Sequence, residues 1–488
     1  MKKINEVHTN KISRPIKVIQ FGEGNFLRAF VDFLIFRLNN ETDFNGNVVV
    51  VQPIEQGLTK MLDDQNGLYT HFMKGLEDGK AKSDHNIIDV ISKTVRPYED
   101  FSEFMKLAEL EEANVIISNT TEAGIAVDTT DTFDMAPPKT YPGKLTKLMY
   151  QRFLNFKGDP KMGYSVVPCE LISDNGKVLK ASVLEYAKLW DLGEEFIQWL
   201  LEANEFIGTL VDRIVPGFPR DKIQEIHEEI GYIDNLVVES ERFLLWVLEN
   251  SDLLKSRIPL DKLGPGIVFT DDITPYKLRK VRILNGLHTF MVPIGLLNGI
   301  ELVKESVEDE VLGDLIHEVL QNEIIPSQDM EKSELITFGN QVIERFRNPF
   351  VKHQLVSISL NSIAKFETRV MPSLISYVNK NSELPKGLVF SMASLLSYYK
   401  GELRGRTFKP NDSAELIDYL GSKWKAVDGS KESYLKFANE ILAEEVLWKS
   451  DLTLIDGLVE MLSQQLMDIQ LKDYKDLLIE LKEGYKSE

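Results

Sequence analysis

An α/β fold, with a doubly wound parallel sheet at the N-terminal end and a mostly α-helical C-terminal domain after it, is what this sequence predicts. Three observations predict it. Short β-rich runs alternate with helical patterns through the first half of the chain, as strand–helix–strand units require. Asn47-Val-Val-Val-Val-Gln52 is apolar without alternation, the pattern of a strand covered on both faces. From about residue 276 the strand candidates largely stop. The domain boundary is therefore placed there, with 1–275 as the sheet domain and 276–488 as the helical one.

The elements follow in order. Lys17-Val-Ile-Gln-Phe21 is the first strand, and the 3.6-residue apolar spacing from Phe26 to Leu38 is the first helix. The run at 47–52 is the second strand. Asn114-Val-Ile-Ile-Ser118 and Tyr164-Ser-Val-Val-Pro168 continue the sheet. Helical windows then cover Val281–Gly295, Leu312–Glu323, Gly387–Tyr399, Ser433–Glu444 and Leu454–Ile469. Neither an internal repeat nor a low-complexity segment is visible.

Composition narrows the function classes. A chain of 488 residues exceeds the size of one hydrophobic core, so two or three domains are expected. With 43% hydrophobic and 27% charged residues the profile is that of a soluble globular protein. A net charge of −20 leaves no basic footprint for nucleic acid. Any anionic substrate must be met by a local basic pocket. No run approaches the ~18 apolar residues of a membrane span, and the N-terminus carries no signal-like apolar stretch. Cys169 is alone, so neither a disulfide framework nor a thiolate metal cluster is available. A cytosolic, metal-independent protein, monomeric or a small homo-oligomer, is expected.

Two places carry chemistry. Phe21-Gly22-Glu-Gly24-Asn25-Phe26-Leu27-Arg28 joins the first strand to the first helix. Glycines there permit a tight turn and a close approach of a pyrophosphate to the helix N-terminus. The third glycine of the dinucleotide fingerprint is replaced by Leu27, and a purely structural turn is the rival reading. The acid expected after the second strand, to bind the adenosine ribose, is absent; Gln52 and Glu55 are the substitutes. Ser118-Asn119-Thr120-Thr-Glu122-Ala-Gly124 follows a later strand, at the edge where a nicotinamide ribose would lie, although a loop capping a helix describes it equally well.

The second place is Lys280-Val-Arg-Ile-Leu-Asn285-Gly-Leu-His288. At ~100° per residue these three side chains fall within an arc of ~140° on one helix face. A cation, an amide and an imidazole can together take a proton from an alcohol and stabilise the alkoxide. Spacing alone is also compatible with a solvated face.

The two motifs together resemble the polyol-specific long-chain dehydrogenase/reductase family, to which mannitol dehydrogenase and the hexuronate reductases belong. The resemblance rests on Gly22-x-Gly24-x-Phe26-x-Arg28-Ala29 and Lys280-x4-Asn285-x2-His288. It extends over nearly the whole chain through Val211-Asp212-Arg213-Ile214, Arg345-Phe-Arg-Asn-Pro349, Pro168-Cys-Glu-Leu-Ile172 and Lys352-His353-Gln354. It implies a Rossmann-type domain that binds NAD through Phe21, Gly22, Gly24, Asn25, Phe26, Arg28, Gln52, Asn119, Thr120 and Glu122. It further implies zinc-independent hydride transfer, with Lys280 as general acid/base, Asn285 polarising the carbonyl and His288 orienting the substrate.

Departures from the mannitol-acting members point to the substrate. Leu171 stands where a second oxyanion asparagine is expected, Ser357 where an arginine precedes the substrate lysine, and Lys277 where an acid precedes Lys280. Added positive charge suits a carboxylated sugar. The resemblance assigns Lys365 to the substrate, with Lys277, Arg369, Lys352 and His353 as further candidates. The expected reaction interconverts D-tagaturonate and D-altronate; D-fructuronate reduction and mannitol-type polyol oxidation are the alternatives. A nucleotide-sensing regulator is the rival from another class, and no recognition helix supports it. Asp212 and Arg213 are expected to form a structural ion pair.

Overall fold

The computed structural model describes residues 1–77, 79–120 and 124–486. The chain divides into two compact units, one of Met1–Gly75 with Lys82–Ile273 and one of Leu76–Ala81 with Thr274–Glu488. No helix among the described residues is long and apolar enough to cross a membrane.

In the first unit the strands are β1 (Ile16–Phe21), β2 (Asn47–Val51), β3 (Tyr69–Glu77), β4 (Lys80–Ile88), β5 (Ile91–Val95), β6 (Val115–Ser118), β7 (Ser165–Pro168), β8 (Glu205–Phe206), β9 (Thr209–Asp212), β10 (Val238–Glu241), β11 (Leu245–Glu249) and β12 (Ile267–Thr270). Six of them form a sheet in the order β5-β2-β1-β6-β7-β8, parallel at every pairing. Two smaller sheets have the orders β10-β3-β4 and β12-β11-β9.

The continuous apolar strands have a direct cause. Val18, Val48, Val50, Val115 and Ile117 enter one core with Leu34, Leu38 and Trp246. Their neighbours Ile19, Phe21, Val49, Val51 and Ile116 enter the other, with Leu145, Leu148, Val183 and Phe196. Alternate residues face opposite sides, and both sides are covered.

The chain moves outwards from β1 to β2 and β5, then returns to β6 on the other side of β1. That reversal opens a crevice at the carboxyl ends of the strands, where open α/β sheets bind ligands. Phe21 pairs with Val51 and Ser118, and Ser118 with Pro168. Gly22, Gln52, Asn119 and Cys169 therefore leave the sheet along one edge. The expected first helix is interrupted: Asn25–Ala29 and Val31–Glu41 are separated at Phe30, whose φ and ψ are −118° and −72°. The edge strand β5 and the two small sheets were not anticipated.

In the second unit, from Thr274 onwards, the strands among the described residues are the short pair Glu402–Leu403 and Arg406–Thr407, and the remaining regular structure is helical. The centre of this unit is the pair Gly286–Asn298 and Lys386–Tyr399, which pack against each other and bury nearly every residue. Helices that are apolar all round belong inside. The amphipathic helices Lys431–Leu442 and Leu458–Leu471 pack outside them.

Candidate active site

The glycine turn divides its duties between two residues. Gly22 has φ +119°, a conformation that favours glycine. A Cβ there would lie 3.1 Å from the Asn119 carbonyl oxygen and 3.1 Å from the Leu27 side chain. Leu27, at the place of the third glycine, is buried against that bare backbone. Gly24 differs: its φ of −66° is ordinary, and a Cβ would meet nothing within 4 Å. Open space above a helix-initiating glycine fits a pyrophosphate.

Arg28 supports the turn from beneath. It is 1% exposed, and each of its guanidinium nitrogens already donates to the protein. Nε donates to the Glu23 carbonyl (3.2 Å), one terminal nitrogen to Asn25 Oδ1 (2.7 Å) and the other to the Leu236 carbonyl. The expectation that Arg28 meets a cofactor is corrected: burial and these bonds spend its donors inside. Behind it Tyr69 donates to the Arg28 carbonyl (2.8 Å) and to Asp32 Oδ2 (3.1 Å). Burial pushes the Asp32 carboxyl up to about 7.

Gln52 is also committed to its own loop. Its amide nitrogen donates to the carbonyls of Ile54 and Glu55 (both 3.0 Å), and its oxygen accepts from Thr59 Oγ1 (2.5 Å). Glu55 is exposed. Glu23 reaches the same loop, accepting from the Leu58 amide at 3.2 Å, and burial raises its pKa.

On the other side of β1, Glu170 organises the strand ends. Its carboxylate accepts from Ser118 Oγ (3.1 Å), the Thr120 amide (2.9 Å) and Thr120 Oγ1 (3.0 Å). Burial holds its pKa above the usual range. Asn119 donates through Nδ2 to the Cys169 carbonyl (3.3 Å). Glu122 lies outside the described residues. Glu170 was missed in the sequence, although an acid just past a strand, facing a Ser-Asn-Thr run, was the available signal. Leu171 beside it is 62% exposed. Arg213 does not pair with Asp212: its guanidinium donates to the carbonyls of Ala29 (2.6 Å) and Glu241 (2.9 and 3.1 Å).

In the second unit, Lys280–Asn285 is one π-helical turn between the α-helices Thr274–Arg279 and Gly286–Asn298. This corrects the regular helix expected there. A π turn holds one extra residue, so Lys280, Asn285 and His288 are arrayed as if four and then three apart. At ~100° per residue the arc narrows from ~140° to about 60°. Lys280 and Asn285 are half-buried. The flanking cations are engaged with neighbours: Arg279 lies over Phe338 (4.3 Å) and Tyr276 (5.0 Å), and Arg282 donates to the Ser327 carbonyl (3.2 Å).

His288 is 7% exposed, and its Nε2 is buried with no hydrogen-bond partner among the described residues. Its ring lies 4.3 Å from Phe346 and 4.9 Å from His353. Burial, then the neighbours His353, Arg345, Arg369 and Lys365, hold its pKa well below the usual range. The imidazole is therefore neutral at physiological pH. Lys365 donates to the Ile358 carbonyl at 2.8 Å. The structure thus gathers His288, His353, Lys365 and Arg369 in one region, and adds Arg345. Lys277 and Lys352 are exposed, and neither is among the charges that act most on His288.

Residues 16–262 match the mannitol dehydrogenase Rossmann domain and residues 272–470 the mannitol dehydrogenase C-terminal domain. An altronate oxidoreductase of Phocaeicola vulgatus is 47% identical over 97% of this chain and 98% of its own. Those of Bacillus subtilis and an Escherichia coli strain are 44% and 42% identical, covering 94% and 98% of this chain, and 94% and 99% of their own. A crystal structure of D-sorbitol dehydrogenase superposes with TM-score 0.78 at 23% identity, over 97% of this chain and 99% of its own. Pseudomonas fluorescens mannitol 2-dehydrogenase, in a ternary complex with NAD and D-mannitol, gives 0.68 at 19% identity over the whole of both chains. The glycine turn at the sheet reversal, the Lys280 turn in the helical unit and these matches over both units make the chain a member of the mannitol dehydrogenase family, an oxidoreductase.

Proposed function

We propose that the chain interconverts D-tagaturonate and D-altronate with NAD(H), as a step of hexuronate breakdown. The observation that carries the substrate is the 42–47% identity, nearly end to end, with altronate oxidoreductases. NAD rather than NADP is supported by the loop after β2: Gln52-Pro-Ile-Glu55-Gln56 offers a carboxylate for ribose hydroxyls and no Lys or Arg for a 2′-phosphate. The residues that would hold the dinucleotide are Phe21, Gly22, Gly24, Asn25 and Phe26 at the turn, with Asn119 and Thr120 beside them. When bound, the nicotinamide supplies or accepts the hydride.

The remaining work falls to the second unit. In the reductive direction the Lys280 ammonium gives a proton to the carbonyl oxygen as it becomes an alcohol; in the oxidative direction the amine removes it. The Asn285 amide donates a hydrogen bond to the same oxygen, which stabilises developing negative charge. His288, neutral and with Nε2 unengaged, orients a substrate hydroxyl.

The test follows absorbance of reduced nicotinamide with D-tagaturonate, D-fructuronate and fructose offered separately, each with NADH and NADPH. Fastest turnover of tagaturonate with NADH is expected; preference for fructuronate or fructose overturns the substrate. Lys280→Ala should lower kcat about 10²–10⁴-fold with NADH binding, read by fluorescence, nearly unchanged. Retention of a tenth of wild-type kcat removes Lys280 from the role.

A further inference from the structure

We propose that Arg369 is the specificity-determining residue of the substrate site: its guanidinium takes the carboxylate of the sugar acid and so separates acids from neutral polyols. The proposal rests on the reaction given above and refines the wider basic cluster to one residue.

Arg369 ends the helix Ser362–Arg369 and is half-buried. Among the described residues its side chain makes no hydrogen bond or ion pair, and burial alone shifts its pKa, downwards, with no carboxylate opposing it. Three buried arginines of this chain, Arg28, Arg152 and Arg213, are engaged through every guanidinium nitrogen. Arg152 donates to three carbonyls (2.6, 2.8 and 3.2 Å), and Arg28 and Arg213 are held in the same way. A half-buried guanidinium without a protein partner keeps its donors available to a ligand, and perturbed groups clustered in this way are commonly functional.

Lys365 stands four residues earlier on the same helix. Like charges at that spacing repel, and Arg369 lowers the pKa of Lys365 after burial itself. A bound anion removes that conflict. The independent observation lies across the cluster: His288 Nε2 is buried without a partner, and its ring feels both cations. A buried imidazole nitrogen without a partner, beside two cations of which one makes no bond to the protein, describes a site awaiting an anion that also carries hydroxyls.

A carboxylate suits Arg369 better than its neighbours. The planar guanidinium offers two parallel N–H donors to two oxygens. Lys365 already donates to the Ile358 carbonyl at 2.8 Å, which leaves it for a hydroxyl. Lys352 is exposed, where its charge is screened.

The test uses full-length enzyme with NAD. Arg369→Gln should raise KM for altronate about ten- to a hundredfold, with a smaller change in kcat and an unchanged KM for NAD, which also reports the fold. Arg369→Lys should recover only part of the loss, because an ammonium lacks the two-pronged geometry. A KM for altronate within about twofold of wild type in either variant, or a loss confined to kcat, overturns the proposal. Calorimetric binding to the NADH complex separates this from failure of the proposed reaction, since it needs no turnover. There wild type should bind D-gluconate more tightly than D-glucitol, and Arg369→Gln should erase the difference; a preference for acid that survives the substitution overturns it. Stronger competition by inorganic phosphate than by acetate would make this a phosphate site and equally overturn it.

Discussion

Gly24 and Gly22 look alike in the sequence and are opposite in the structure. Gly22 needs its positive φ and has the Asn119 carbonyl against it, so any substitution there strains the fold. Gly24 has ordinary dihedrals and empty space beside it. Gly24→Val should therefore fold normally, by circular dichroism and melting temperature, while KM for NADH rises at least about tenfold and KM for substrate changes little. An unchanged KM for NADH in the folded variant would make the turn merely structural. Residue types carried the expectation at this scale: a cation, an amide and an imidazole at Lys280, Asn285 and His288 suit proton transfer. Arg28 and Gln52 misled because a donor looks the same in sequence whether it faces a ligand or three carbonyls. Glu170 was missed because its partners, Ser118 and Thr120, lie about fifty residues away, and its place just past a strand was not connected with them.

At the scale of elements, apolar spacing located the strands β1, β2, β6 and β7 and most of the long helices, because burial on two faces or one stripe writes itself into composition. It could not locate the π turns Lys280–Asn285 and Leu320–Ile324, since one extra residue in a helix hardly disturbs an apolar pattern. The second of these turns has its own consequence. Glu323, 2% exposed, accepts from the amides of Gly387 (2.8 Å) and Leu388 (2.9 Å) at the start of the helix Lys386–Tyr399, and from the Tyr485 hydroxyl. Burial nevertheless pushes its carboxyl up to about 7. Because the folded pKa is raised, this group's contribution to stability is fully present below its unfolded value, near 4.5, and is lost as pH rises through about 7. Its ceiling is roughly 3 kcal/mol, and Asp32, raised to a similar value, acts with the same sign. Melting temperature should therefore fall less, or rise more, between about pH 5 and pH 7 in Glu323→Gln than in the wild type, where the lowered pKa values of the buried His71 and His288 act with the opposite sign. Parallel curves for the two proteins would show that Glu323 does not titrate in this window.

For the molecule as a whole, composition carried far. A near absence of cysteine and a charge of −20 argue against thiolate metal sites and nucleic acid. Dialysis against a strong chelator should leave activity unchanged; stoichiometric metal whose removal abolishes turnover would contradict the lysine mechanism. What composition could not convey is that the second unit is discontinuous, taking Leu76–Ala81 from within the first. The backbone accordingly passes between the units at 75/76, 81/82 and 273/274. A gene cut once, before Thr274, cannot yield two complete halves: the C-terminal fragment lacks its six-residue contribution, and the N-terminal one carries it as an orphan loop. Fragment complementation or transplantation of the helical unit onto another dinucleotide domain would have to move Leu76–Ala81 with it.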